Sequence, residues 1–340
     1  MRIAHTLFSS GFAGSERSTA EACNAQSAAG HEVLLVVRRG HRGRGGASIL
    51  DHVEPAVQVA VVPDRWFTLR ALSRVIDTFR PDLIHTHLRR STRLVVKLAP
   101  RAATIATLHL HVNGPDYLKL DGLICNAHWQ RRGIPDSYRG QVFKLNNSLL
   151  PQPRLSDAER QSLRRELGVA EHEFLVGGVG RLAHTKGWDV LLRAFAAAAL
   201  PDSRLILFGE GRERRRLEKL ASANASLPGH RHDIKRLYQA FDVFVCPSRY
   251  EPLPRTMLEA YDAGTPVIAS SADGCHELIA DYGGDEFPID DVDALAQLLC
   301  RHHRERLPRT SVDLSGHHID AVTRTYLQAY AALLQRRAEG

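Results

Sequence analysis

Two glutamates eight positions apart, Glu251 and Glu259, lie within the stretch from Phe244 to Ser271, FVCPSRYEPLPRTMLEAYDAGTPVIASS. The stretch reads as strand, tight acidic loop, helix, strand, with apolar runs at Val243 to Cys246 and Pro266 to Ala269. Pro247, Pro252 and Pro254 bracket Glu251 in the loop, and Glu259 falls about a turn into the helix those prolines introduce. The first amides of such a helix lack intrahelical acceptors, so Arg255, Thr256 and Met257 are candidates to offer N–H groups to a phosphate. Two carboxylates beside a phosphate site fit a sugar nucleotide, whose ribose and hexose hydroxyls donate to carboxylates. Spacing alone does not separate this reading from a solvated helix face, because exposed glutamates are common.

Further cations sit in Gly180-Arg181-Leu182-Ala183-His184-Thr185-Lys186-Gly187, between an apolar strand (Glu173 to Val179) and the next helix. Arg181 offers a planar donor fork and Lys186 a point charge, both suited to a diphosphate. Near the start, Arg2 to Phe8 reads as a strand and a helix runs to Ala29. The turn between them contains Gly11 and Gly14, the arrangement in which backbone approaches a phosphate closely. Ala103 to Leu108 is a strand whose carboxyl end carries His109, where open parallel sheets gather ligand residues, and His111 is its competitor. His85 and His87 close the strand before it; with no third ligand nearby in sequence, hydrogen bonding is favoured over a metal.

The Glu251 to Glu259 stretch, followed by Ala263-Gly264-Thr265-Pro266-Val267-Ile268, resembles the retaining glycosyltransferases of the GT-B architecture, glycosyltransferase family four. That family shows Glu, seven residues, Glu, then a Gly-Thr/Ile-Pro-Val strand. Its Gly-Arg, short spacer, Lys-Gly pattern is matched at Arg181 and Lys186, and its first turn by Gly14-Ser15 in place of Gly-Gly. The resemblance implies an α/β protein of two doubly wound Rossmann-like domains facing a cleft: residues 1–150 on the acceptor side, 151–315 binding the nucleotide sugar, and a C-terminal helix within 316–340 bracing the first domain.

The implied reaction moves a hexosyl group from a nucleotide diphosphate sugar, a UDP-sugar by family frequency, to a hydroxyl of a growing glycan with retention. Lipopolysaccharide, capsule or another lipid-linked saccharide is the expected acceptor. Arg181 and Lys186 would neutralise the departing diphosphate, Glu259 accept from ribose hydroxyls, Glu251 hold the transferred sugar and His109 contact it. No cofactor beyond the co-substrate is implied, and the lack of a DxD-type motif in an appropriate loop agrees with metal independence. The family's glycines after the first glutamate are replaced here by Pro252 and Pro254, which removes two N–H donors and leaves the donor's identity open. A nucleotide-sugar 2-epimerase on the same fold and a non-catalytic nucleotide-sugar-binding protein remain alternatives.

The 340 residues suffice for two cores, and 44% hydrophobic with 24% charged residues is the composition of a water-soluble α/β protein. No apolar run reaches eighteen residues and the opening MRIAHTLFSSG is too short for a signal peptide, which predicts a cytoplasmic protein. Five scattered cysteines predict free thiols. Residues 1–150 carry 20 Lys+Arg against 11 Asp+Glu, the remainder 25 against 27, so the net charge of +7 resides in the first half. Without aromatic interleaving or a helix-turn-helix, that charge argues against nucleic acid and for peripheral contact with an anionic membrane face through Arg42, Arg44, Arg89, Arg90 and Arg93.

Overall fold

Runs such as Val33 to Val37, apolar at every position, cannot face water on either side, and they form strands covered on both faces. A computed structural model describes residues 1–43 and 46–339. The chain divides into two units: Met1–Ser148 together with the C-terminal stretch from Ser315, and Leu149–Leu314.

In the first unit the elements are β1 (Arg2–Leu7), α1 (Gly14–Ala28), β2 (Glu32–Arg38), β3 (Gln58–Val62), α2 (Thr68–Phe79), β4 (Leu83–His87), α3 (Leu88–Leu98), β5 (Ala103–Leu108), β6 (Gly122–Cys125) and β7 (Gln141–Lys144). All strand pairs are parallel, in the order β3-β2-β1-β4-β5-β6-β7. The order reverses between β1 and β4, and such a switch point opens a crevice at the strands' carboxyl ends. A C-terminal helix, Ile319–Glu339, lays Ala329, Tyr330 and Leu333 over Ile3, Leu83, Ile105 and Ile124.

The second unit repeats the plan with α4 (Asp157–Glu166), β8 (Phe174–Val179), α5 (Trp188–Ala198), β9 (Ser203–Phe208), α6 (Arg214–Glu218), β10 (Ala225–Gly229), α7 (Ile234–Leu237), β11 (Val243–Cys246), α8 (Arg255–Asp262), β12 (Val267–Ser270), α9 (Asp273–Tyr282), β13 (Asp285–Phe287) and α10 (Val292–Glu305). Its parallel order is β10-β9-β8-β11-β12-β13, with the switch point between β8 and β11. The two glycines of FLVGGV follow from packing: a Cβ on Gly177 would run into the Phe241 ring, and one on Gly178 would press on Trp188. Each unit is thus a doubly wound Rossmann-like sheet, as the resemblance implies for each half.

The charged stretch from Arg212 to Ala223 is helical only over α6, where Leu217 is the one buried residue. The helix α3 begins at Leu88, which takes a positive φ of 64° directly after β4. Asn126 lies just ahead of the turn that holds Trp129. Its side chain donates to the Leu145 carbonyl at 3.1 Å, while Gln130 Oε1 accepts the Asn126 and Ala127 amides. No disulfide forms among the described residues: Cys23, Cys125, Cys246 and Cys275 are buried and Cys300 is half-buried.

Candidate functional site

The loops leaving β8 and β11, the strands flanking the second unit's switch point, are those that carry the two charged motifs. After β8 the chain turns through Gly180 to Gly187 and enters α5. Gly187 takes φ 65°, and a Cβ there would strike the Pro247 carbonyl, so glycine lets this loop close on the one after β11. The second loop returns the contact, since the amides of Arg249 and Tyr250 donate to the Thr185 carbonyl at 2.9 and 3.4 Å.

The closure brings Lys186 to Glu251. The ammonium donates to Glu251 Oε2, which also accepts from Ser248 Oγ at 3.3 Å. The side chains are 21% and 9% exposed, so water screens the pair little. Burial pulls the Lys186 pKa down, but the charge and hydrogen bond of Glu251 outweigh it and hold the amine above its ordinary value. Beneath this pair the thiols of Cys246 and Cys275 meet at 3.7 Å. The amide of Gly274, in the first turn of α9, donates to the Glu251 carbonyl at 3.1 Å, and a Cβ there would collide with the Pro252 carbonyl.

Arg249, which sequence reasoning passed over, fastens the two loops. Its guanidinium donates to both Asp189 oxygens at 2.9 and 3.0 Å, to the His184 carbonyl at 2.7 Å and to Asp290 at 2.7 Å. Burial pushes the Asp189 carboxyl up, and the Arg249 bonds overcome it, leaving its pKa below the usual range. The signal in the chain was an opposite-charge pair flanking the motifs: Asp189 follows Lys-Gly-Trp and Arg249 precedes Glu251 by two.

The other second-unit candidates fall on and around α8. Arg255 and Thr256 are half-buried at its first two positions. Met257 is fully buried and its amide donates to the Pro254 carbonyl at 3.0 Å, so the amide expected to serve an anion is already engaged. Glu259 is 7% exposed, and its Oε2 accepts from Tyr238 Oη at 2.9 Å. Arg181 has an exposed side chain, while its carbonyl accepts from Trp188 Nε1 at 3.0 Å.

In the first unit, Gly14 opens α1, and a Cβ there would meet no atom within 4 Å, so the turn's backbone is open to approach. Glu16, buried at 4% exposure, accepts from the Ala13 amide and the Ser15 hydroxyl, both at 3.0 Å. His109, just past β5, is half-buried and His111 is exposed. Burial lowers the His109 pKa to about 4, against an upward pull from the Glu16 charge.

Residues 12–174 match the family described as Glycosyltransferase Family 4, and residues 173–305 match Glycosyl transferases group 1. The lipopolysaccharide core biosynthesis glycosyltransferase LpsE of Rhizobium meliloti is 25% identical, the alignment covering 98% of this chain and 99% of LpsE. A GDP-mannose-dependent alpha-mannosyltransferase of Mycobacterium tuberculosis is 28% identical over 82% of this chain and 81% of its own. Among solved structures, HepE of Anabaena in complex with UDP and glucose superposes with a TM-score of 0.75 at 20% identity, covering 100% of this chain and 98% of HepE. Consecutive family matches spanning residues 12 to 305, on two sheets of this order, establish that the chain belongs to glycosyltransferase family four, the group 1 glycosyltransferases of the GT-B fold.

Proposed function

We propose that the protein transfers a hexosyl group from a nucleotide diphosphate sugar to a hydroxyl of a growing glycan, with retention at the anomeric carbon. The observation that carries this reading is the Lys186–Glu251 pair, held between the β8 and β11 loops where the sheet order reverses. Leaving-group stabilisation is the central demand of the reaction, and fixed charges meet it best where little has to reorganise. Lys186 and Arg181 neutralise the departing diphosphate, together with the Arg255 and Thr256 amides that open α8. Glu251 holds the transferred sugar at its hydroxyls, Glu259 takes the ribose, and His109 contacts the reacting sugar. Gly14 lets the first turn's backbone approach the donor. In this reading cations and amides, without a metal, carry the charge of the leaving group.

UDP is the proposed carrier, supported by the UDP and glucose complex of HepE, and GDP is the competing carrier because the mycobacterial relative is GDP-mannose-dependent. The name of LpsE supports a lipopolysaccharide or similar lipid-linked acceptor. Peripheral contact with an anionic membrane belongs to the same proposal. No helix among the described residues is long and apolar enough to cross a membrane. Trp66 and Phe67 are 81% and 73% exposed, next to a depression lined by Arg65, Arg70, Arg90, Arg93 and Lys97. Aromatic rings beside cations suit a headgroup interface. Of the arginines singled out in the sequence, Arg42 is engaged by Asp51 at 2.9 and 3.0 Å, and Arg44 lies outside the described residues.

Incubating the protein with UDP-, GDP- and ADP-sugars, reading free nucleotide and thermal shift, tests the assignment. Acceptor-dependent release, insensitivity to EDTA and an unchanged anomeric configuration by NMR are expected. Stabilisation without release would indicate a binding protein, and conversion of the free sugar nucleotide an epimerase.

A further inference from the structure

Strand alternation places His5 of β1, His85 and His87 of β4, Thr107 of β5 and, two residues on, His109 toward one face of the first sheet, beneath α1 and the C-terminal helix. His5, His85 and His87 are 0%, 0% and 3% exposed, and their ring nitrogens enter two hydrogen-bonded branches that meet at Gln26. Gln26 Oε1 lies 2.8 Å from His5 Nε2, His5 Nδ1 lies 3.0 Å from His87 Nε2, and His87 Nδ1 lies 3.4 Å from His109 Nε2. In a second branch Gln26 Nε2 donates to Tyr330 Oη at 3.3 Å, Tyr330 Oη is 2.7 Å from His85 Nδ1, and His85 Nε2 is 2.8 Å from Thr107 Oγ1.

A neutral imidazole has one donor and one acceptor, so a chain of rings anchored at one end has a single direction. Gln26 is that anchor: its amide nitrogen serves the Tyr330 hydroxyl, which leaves its oxygen to accept from His5. His5 therefore carries its proton on Nε2 and accepts at Nδ1, His87 donates from Nε2 and accepts at Nδ1, and His109 must donate from Nε2. We infer that His87 and His5 are positioning residues that fix His109 as the Nε2–H tautomer, so that its Nδ1 is held as a lone-pair acceptor for a sugar hydroxyl. This rests on the proposed placement of His109 at the reacting sugar. Burial supports a neutral chain throughout, holding His5 at about 4 and His85 and His87 well below the ordinary histidine value. His5, His85 and His87 also offer nitrogens within 4.8 Å of one another, a spacing that would suit a metal. All six of those nitrogens, however, already have partners: His85 on Tyr330 and Thr107, His5 on Gln26 and His87, and His87 on His5 and His109.

Ring nitrogen-15 NMR at pH 7.5 on the full chain tests the inference without substrate. His109 is expected as Nε2–H in the unsubstituted protein and as a mixture with Nδ1–H in His87→Phe. In His87→Asn, whose Oδ1 stands where Nδ1 stood, the Nε2–H form is expected to return. Nucleotide release should fall about tenfold to a hundredfold in kcat in His87→Phe, with little change in donor KM, and recover in His87→Asn. An Nδ1–H His109 in the unsubstituted protein, an unchanged tautomer in His87→Phe, or stoichiometric zinc in the purified protein would overturn the chain. Equal loss of activity and of melting midpoint in both variants would reduce His87 to a structural residue. A tautomer that responds while transfer is unchanged would keep the chain and remove His109 from the reacting sugar.

Discussion

Arg249 grips both carboxylate oxygens of Asp189 at 2.9 and 3.0 Å, and through this bond the loop after β11 holds the loop after β8. Asp189 is 5% exposed at its side chain and Arg249 15%; Arg193 and Arg216 also reach Asp189, at 3.0 and 3.3 Å, and without Asp189 the guanidinium keeps only Asp290 as a carboxylate partner. Asp189→Ala is expected to cost about 2–3 kcal/mol of stability. The measurement is urea unfolding, and a loss under 1 kcal/mol would mean that the loops close without the clamp.

Lys186 and Glu251 divide stability from chemistry. Lys186→Met alone leaves Glu251 unpaired at 8% exposure and should lower stability by about 3 kcal/mol. Adding Glu251→Gln removes that stranded charge, so the double variant should regain most of the stability while kcat stays about a hundredfold to a thousandfold down. Paired unfolding and nucleotide-release assays separate the effects; transfer restored along with stability would show that the pair only shapes the fold.

Acidification should destabilise the first unit before carboxylates titrate. His5 has an ordinary value of 6.5 and a folded value of about 4, so above pH 6.5 neither state binds its proton and stability is complete. As the pH falls from 6.5 to 4 the unfolded chain takes up that proton first, and His5 alone removes about 3 kcal/mol across the window. Denaturant titrations at pH 7.5, 6 and 5 should show a steady decline, shallower in His5→Gln. A flat profile over that range would contradict the buried neutral histidines.

Trp66 and Phe67 give the membrane proposal a site. Replacing both by serine should reduce binding to vesicles containing a third anionic lipid about tenfold or more, since each ring loses roughly 2 kcal/mol of apolar transfer. Trp66 fluorescence should shift to the blue on binding by the unsubstituted protein. Unchanged cosedimentation of the double variant would move the contact elsewhere or dispense with it. Neutralising Arg90 and Arg93 should weaken binding more at low salt than at high.

The order of elements, the two Rossmann-like halves and the family were legible because a buried parallel strand and a capped helix each leave a local pattern. The run Val33 to Val37 or the serine cap at Ser156 needs no distant partner to be recognised. The charged motifs were legible for the same reason: Arg181, Lys186, Glu251 and Glu259 lie in two short stretches, each attached to its own strand. Exact helix limits were not, since α6 stops where its buried side ends rather than where its charges end.

Partnership was decided only by tertiary structure. Composition and spacing put Lys186 and Glu251 in separate motifs, and β8 and β11 had to lie side by side before one could neutralise the other. Likewise His5 is 82 residues from His87 along the chain. Nothing local marks it, and only a sheet that sets β1 against β4 makes a hydrogen-bonded chain of those rings. Residue types and their periodicity are properties of neighbours in sequence, whereas a proton's direction or a charge's counterion is a property of neighbours in space.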